Sequence, residues 1–242
     1  MTSRLPTLMI PGLLCTPRLF EAQLTLFWQH GPVMVADTGT ERDIVAQARL
    51  ILADAPPVFR LLGLSMGGYL AFEILRQAPE RVQELILLDT SARSDTPEGR
   101  DNRLRMIQLA EQGAFDRLAA MLYPNLVDVS RETDMVLEAI VTGMADDVGA
   151  AAYVNQQHII LSRPDSRPDL PDIRCRTLVV VGAGDRLTPP EIAAEMAEAI
   201  PDADMVIIDD CGHLSPLEQP KKLNRLLAQW LAAEGPFQAA GR

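Results

Sequence analysis

Along the N-terminal part of the chain, short apolar runs alternate with longer stretches whose apolar residues recur at helical spacing. Thr7–Ile10, Val33–Ala36, Val58–Leu62 and Leu85–Leu88 are four or five residues each, with turn chemistry nearby, and predict strands. Glu41–Ala53 and Gly67–Gln77 predict helices, the second with Leu70, Ala71, Ile74, Leu75 and Ala78 at helical spacing. Strand, helix, strand, helix implies parallel strands joined by right-handed crossovers, hence an α/β fold with a doubly wound, mostly parallel sheet.

The last third repeats the alternation. Thr177–Val181, an apolar run after its first residue, suits a central strand covered on both faces. Thr188-Pro189-Pro190-Glu191 reads as a helix start, with Thr188 as cap, Pro189 in the first helical position and Glu191 closing a capping box. Met205–Ile208 is the next strand. A final helix is expected to about Ala233, with Leu223, Leu226, Leu227, Trp230 and Leu231 on one stripe. Between Ser94 and Pro171 the strand signal disappears. Arg103–Gln112, Phe115–Leu122, Thr133–Met144 and Ala150–Leu161 all predict helix, split by Gly113, Pro124 and Gly149. Residues 1–93 and 172–234 therefore form an expected core, 94–171 a helical cap and 235–242 a flexible tail. An insertion leaving the carboxyl end of a strand lies over the ligand crevice of an open parallel sheet, so the cap is expected to act as a lid.

Composition narrows the partners. The chain has 242 residues, 48% of them apolar, which supports one complete core. Its 22 basic against 33 acidic side chains give a net charge of −11, unfavourable for nucleic acid or an anionic membrane. The field inside one pocket is free to differ from that sum. Cys15, Cys175 and Cys211 form no paired framework and no Cys-x-x-Cys spacing, as in a cytoplasmic protein with reduced thiols. The apolar run near the N-terminus breaks at Pro11-Gly12, too soon for a signal peptide.

The chemistry converges on one serine. Gly63-Leu64-Ser65-Met66-Gly67, followed by Gly68, lies directly after a strand and before a helix, where a G-x-S-x-G motif has mechanical meaning. The sharp turn projects the hydroxyl above the sheet and near a helix N-terminus, and the flanking glycines relieve the crowding it creates. A serine needs a base. His30 reads as a surface residue before a strand, and His158 lies in the helical insertion. His213, after Cys211-Gly212 in the loop following the last strand, is at the sheet end where Ser65 emerges. An orienting carboxylate completes the set. Asp185, in the Gly182-Ala183-Gly184-Asp185 loop, ranks first; Asp89, at the end of Leu85–Leu88, ranks second. Asp209 and Asp210 are expected to shape the His213 loop. Backbone N–H groups of Met66 and Leu13 are the expected oxyanion donors.

Strand–Gly-Leu-Ser-Met-Gly-Gly–helix, Val-Gly-Ala-Gly-Asp-Arg-Leu-Thr-Pro-Pro and Cys-Gly-His-Leu-Ser-Pro-Leu-Glu-Gln-Pro together resemble the α/β-hydrolase superfamily over nearly the whole chain. The resemblance is closest to small capped bacterial members such as enol-lactonases and carboxylesterases. Two departures stand out. Pro11-Gly12 replaces the His-Gly usual in the oxyanion loop, and the two strands that often precede Thr7–Ile10 are missing, so a sheet of about six strands is expected.

The expected function is hydrolysis of a small carboxylic ester or lactone through a Ser65 acyl-enzyme. Two alternatives remain open: a receptor-like binding protein on the same fold, and acyl transfer or perhydrolysis with the same triad. No phosphate loop, dinucleotide fingerprint or clustered metal-ligand spacing occurs, so neither cofactor nor metal is expected.

Overall fold

Six strands make one wholly parallel sheet in a computed structural model that describes residues 4–233. The expected tail, 235–242, lies outside the described residues. The strands are β1 (Thr7–Ile10), β2 (Val33–Val35), β3 (Phe59–Leu64), β4 (Val82–Leu88), β5 (Arg176–Gly182) and β6 (Ala203–Ile208). Their spatial order is β2-β1-β3-β4-β5-β6. The chain steps outward from β1 to β2, then crosses back to build everything else on the other side. That reversal puts a topological switch point between β1 and β3, where a crevice opens beyond the carboxyl ends of the strands.

Alternation within the strands divides the core. Leu8, Ile10, Phe59, Leu61, Leu85, Leu87, Val179 and Val181 face one side. They pack there against α2 (Ile44–Asp54), α3 (Met66–Gln77) and α7 (Pro190–Ala199). Met9, Leu62, Leu64, Ile86, Leu88, Leu178 and Val180 face the other, under α1 (Glu21–His30) and α9 (Pro220–Ala232). A sheet buried on both faces explains why its strands read as continuous apolar runs.

Helix α1 escaped the sequence pattern because only Gln23 and Phe27 of its ten residues are buried, while Trp28 is 70% exposed. Instead of apolar contact alone, Gln23 reaches Asn224 of α9 through Nε2–H···Oδ1 at 3.0 Å. Helix α7 starts one residue later than expected, with Pro189 as N-cap and Pro190 in the first turn. Thr188 is not the cap. Its hydroxyl is used by the neighbouring Asp185.

Between β4 and β5 lie α4 (Pro97–Leu109), α5 (Phe115–Leu126) and α6 (Met135–Ser162). The sequence breaks fall close to their predicted places. Gly113, at φ 85°, separates α4 from α5, and Gly149, at φ 73° and ψ 166°, kinks α6 without ending it. Pro124 does not split its helix but sits in the last turn of α5. These helices share a small core of their own around Ile107, Phe115, Leu118, Tyr153 and Val154, which closes onto Leu14 of the loop after β1. The short α8 (Ser215–Glu218) precedes α9.

Candidate active site

The register carries each loop to one level above the sheet. The ladder continues past the strand ends: Ser65 N–H donates to Leu88 O at 3.0 Å, Asp89 N–H to Val180 O at 2.9 Å and Ala183 N–H to Ile208 O at 2.9 Å. Backbone strain gathers here too. The non-glycine residues with positive φ among the described residues are Leu14, Ser65, Asp89 and Asp210, and all four follow the carboxyl end of a strand. Such conformations each cost roughly 1–3 kcal/mol and persist only where the surroundings impose them.

At Ser65 the imposition is visible. Its backbone is held at φ 53°, ψ −116°, and Thr90 Oγ1 donates to its carbonyl at 2.7 Å. A Cβ on Gly67 would collide with the Ile10 carbonyl of β1, and one on Gly63 with the backbone of Gly67 and Gly68. Only glycine lets the strand-to-helix turn close this tightly.

Ser65 Oγ lies 2.8 Å from His213 Nε2, and His213 Nδ1 lies 2.8 Å from Asp185 Oδ2. The three predicted side chains thus form one hydrogen-bonded chain. His213 is buried, so desolvation, the largest single effect, lowers its pKa, but the charge and hydrogen bond of Asp185, with Asp89 and Glu218 adding to them, together raise it above the ordinary 6.5. For Asp185, burial acts upward, and the facing imidazole and four hydrogen bonds bring its pKa down to about 2. Three of those bonds come from the loop itself: Leu187 N–H and Thr188 N–H to Oδ1 at 2.9 and 3.0 Å, and the Thr188 hydroxyl to Oδ2 at 2.8 Å.

Asp89, the second-ranked acid, makes no hydrogen bond to His213. It is fully buried and accepts from Gly182 N–H at 3.0 Å, Ser215 N–H at 3.3 Å and the Ser215 hydroxyl at 2.5 Å. Burial first, and then the negative charge of Asp185, push its pKa up to about 8. Its place is structural, tying β5 to the turn after His213.

The expectation for Asp209 and Asp210 is overturned. Their side chains point outward, Asp210 toward Lys222 at 3.5 Å. The His213 loop is shaped instead by Glu218, 1% exposed, which accepts from Gly212 N–H at 3.0 Å, Leu214 N–H at 3.1 Å and Asp128 N–H at 2.7 Å. Glu218 follows its loop by a single helical turn and lies inside the Cys-Gly-His-Leu-Ser-Pro-Leu-Glu-Gln-Pro stretch that carries the resemblance, but the residue pattern assigned it no role. Gln156 was also missed. Its Oε1 accepts from the strained Leu14 N–H at 3.0 Å, fixing the loop after β1 from the α6 side.

A cavity of about 460 Å³ opens on this chain of side chains. Ser65, His213 and Leu13 line its floor, and Met106, Leu122 and Val141 from α4–α6 contribute to its roof. His158 is outside the lining, Cys15 is within it, and Cys211 is buried away from it. The loop after β1 runs beside the serine, since a Cβ on Gly12 would sit 3.4 Å from Ser65 Cβ. Among the described residues no cluster of three or more His, Cys, Asp or Glu side chains is arranged to hold a metal, and no helix is long and apolar enough to cross a membrane.

A wholly parallel sheet with a serine–histidine–carboxylate chain at its switch point defines a hydrolase-type enzyme. Residues 25–226 match the model of the alpha/beta hydrolase family, and the chain belongs to that family. It is 28% identical over 209 residues to a 2-hydroxy-6-oxononadienedioate/2-hydroxy-6-oxononatrienedioate hydrolase of Escherichia coli (strain K12), covering 82% of this chain and 71% of that protein. Among solved structures it resembles a thermophilic esterase from Thermogutta terrifontis with malate bound, at TM-score 0.84 and 30% identity over 95% of this chain and 90% of that one. The enol-lactonase of Burkholderia xenovorans LB400 shares the fold at TM-score 0.85 and 22% identity, covering 96% and 92% of the two chains.

Proposed function

We propose that the protein hydrolyses a carboxylic ester or lactone of a small molecule through an acyl-enzyme on Ser65. The observation that carries this reading is the continuous chain from Ser65 Oγ through His213 to Asp185, opening on a cavity lined from above by α4–α6. Its relatives include proteins named hydrolase, esterase and enol-lactonase, which agrees with it.

In this mechanism Ser65 Oγ attacks the carbonyl carbon while His213 Nε2 takes its proton, and Asp185 holds the imidazole tautomer and stabilises the imidazolium. The tetrahedral oxyanion is met by the N–H groups of Met66 and Leu13. Met66 is the first residue of α3, so its N–H has no partner within the helix. In the loop after β1, Leu14 N–H is committed to Gln156 and Cys15 N–H to Gly12 O, which supports Leu13 as the second donor. His213 returns the proton to the leaving oxygen. Water, activated by the same imidazole, then releases the acid. Residues 94–171 act as the lid over this chemistry, and the three unpaired cysteines favour a cytoplasmic setting.

A panel of short-chain activated esters, with fluorophosphonate labelling alongside, tests the reading. Wild type is expected to turn over and to label at Ser65, and Ser65→Ala to lose both, with turnover down roughly 10⁴–10⁶-fold. Equal activity in the two proteins would remove Ser65 from the reaction.

A further inference from the structure

The cavity carries a charge opposite to that of the molecule around it. The chain has a net charge of −11, yet Arg93, Arg103 and Arg163 line the cavity against one carboxylate among the described residues, Asp95. Arg93 is balanced from outside the lining by Glu195, Nε to Oε2 at 2.8 Å. Arg103 and Arg163 share Asp95: Arg103 Nε donates to Oδ2 at 2.6 Å, and Arg163 Nη2 to Oδ1 at 2.8 Å. Two guanidiniums on one carboxylate leave one positive charge without a partner.

That charge is not dispersed into solvent. The side chains are 22% exposed for Arg103, 7% for Arg163 and 8% for Asp95. Anchoring α4 and α6 to the loop after β4 would need only one arginine per carboxylate, and withdrawing an unpaired cation from water is costly. The excess points to an anion that arrives with the ligand.

The geometry is held ready for it. Arg103 Nη1 donates to Gln157 Oε1 at 2.9 Å, and Gln157 Nε2 donates in turn to the Tyr153 hydroxyl at 2.7 Å. Arg163 lies over the Tyr69 ring, 4.1 Å from its centroid, and Tyr69 is one helical turn beyond Ser65. Each guanidinium carries more N–H donors than Asp95, Gln157 and the backbone take up. A planar fork with spare donors suits a carboxylate.

We infer that the substrate is an ester or lactone bearing a free carboxylate away from the bond that is cut, and that Arg103, supported by Arg163, receives it. The inference rests on the acyl-hydrolysis reading for the reacting end of the substrate, while the anion subsite stands on its own residues.

The test compares two activated esters of equal acyl length: 4-nitrophenyl hydrogen glutarate, which carries the carboxylate, and 4-nitrophenyl methyl glutarate, which does not. Wild type is expected to favour the anionic ester at least about tenfold in kcat/KM, mainly through KM, with the preference shrinking as salt rises. Arg103→Gln is expected to abolish that ratio, and Arg103→Lys to keep part of it. A wild type indifferent to the charge, or an Arg103→Gln variant that loses both substrates equally, overturns the inference. Thermal stabilisation by glutarate separates the subsite from the catalysis. Glutarate is expected to stabilise Ser65→Ala but not Ser65→Ala combined with Arg103→Gln. If that holds while neither ester is cleaved, the subsite survives and acyl hydrolysis fails. If esters are cleaved with no charge preference, the reverse is true.

Discussion

Floor and roof of the cavity are built in opposite ways. The groups proposed to react stand on short loops leaving strands; the Ser65 and Asp185 loops are pinned by backbone hydrogen bonds to a neighbour across the sheet, and His213 N–H is held by Leu126 O. The roof is made of helices interrupted by Gly113 and Gly149, where an added Cβ would meet nothing within 4 Å. At the floor, glycines are required by collision; in the roof, by backbone conformation alone. A preorganised floor suits chemistry common to many substrates, and a roof with its own small core and charged lining suits the choice among them. The two are joined along one edge. Asp128, just past α5, donates its N–H to Glu218, and Arg186 reaches back to the Val127 carbonyl at 3.1 Å and the Pro124 carbonyl.

The sharpest break of this contrast is Asp185→Asn. It leaves the floor's shape intact but removes the charge that raises the His213 pKa. Turnover is expected to fall by about 10³–10⁴-fold, while roof-dependent substrate preference is unchanged. The pH profile gives the sign. As the proposed base His213 acts only when neutral, so the wild-type kcat/KM is expected to rise with pH through a midpoint above 6.5. Without the Asp185 charge, burial dominates and the midpoint moves down. A midpoint that stays put would show that Asp185 is not what sets the imidazole.

Asp89→Asn comes next and acts on stability. In the fold its pKa is about 8 against an ordinary 3.8, so the native protein keeps a proton that the unfolded chain gives up. Native stability therefore declines as pH rises from about 4 to about 8, by up to about 1.4 kcal/mol per pH unit from this group. Asparagine carries no such proton, and the decline is expected to flatten when urea midpoints are compared at pH 5 and pH 8. A parallel decline in the variant would mean that Asp89 is ionised in the native floor.

Glu218→Gln tests the joint between floor and roof. An amide has one acceptor oxygen where the carboxylate has two, and its NH₂ would face an N–H that it cannot satisfy. A loss of about 2–3 kcal/mol is expected, because one of three buried donors is orphaned. Turnover is expected to fall with it, since His213 N–H bonds to Leu126 O on the same joint. Undiminished stability would mean that the roof holds its place without Glu218.

The floor was far more legible in the sequence than the roof's lining, for a physical reason. Strand runs, the Gly63–Gly68 turn and the loops ending in Asp185 and His213 are local patterns, each tied to one backbone geometry. They put Ser65, His213 and Asp185 at one end of the sheet. Asp95, Arg103 and Gln157 carry no local signature. They meet because α4 and α6 fold over the loop after β4, and a charged residue on a helix otherwise reads as solvated. Gln156 and the role of Glu218 were hidden for the same reason, since a buried polar side chain is recognised by the distant backbone groups that it satisfies. Thr188 misled because a threonine before two prolines is also a good cap, and the capping pattern could not see Asp185 three residues back.

The smallest expected effect isolates the roof's conformation. Gly149 sits at φ 73° and ψ 166°, a region nearly closed to residues with a side chain, and nothing lies within 4 Å of where a Cβ would be. Gly149→Ala therefore introduces strain without collision. The strain is roughly 1–3 kcal/mol, offset by about 0.4–1 kcal/mol from the stiffer unfolded chain, so a net loss of about 1 kcal/mol and a drop in Tm of about 2–4 °C are expected. Gly113 lies at φ 85° and ψ 17°, nearer the left-handed helical region, and Gly113→Ala is expected to cost less. If Gly149→Ala instead gains stability together with helical circular dichroism, α6 has straightened. The kink would then be a feature that the free backbone can give up. The cavity should change shape with it, visible as altered substrate preference with Ser65 labelling intact, and the division between a fixed floor and an adaptable roof would be drawn through a single residue.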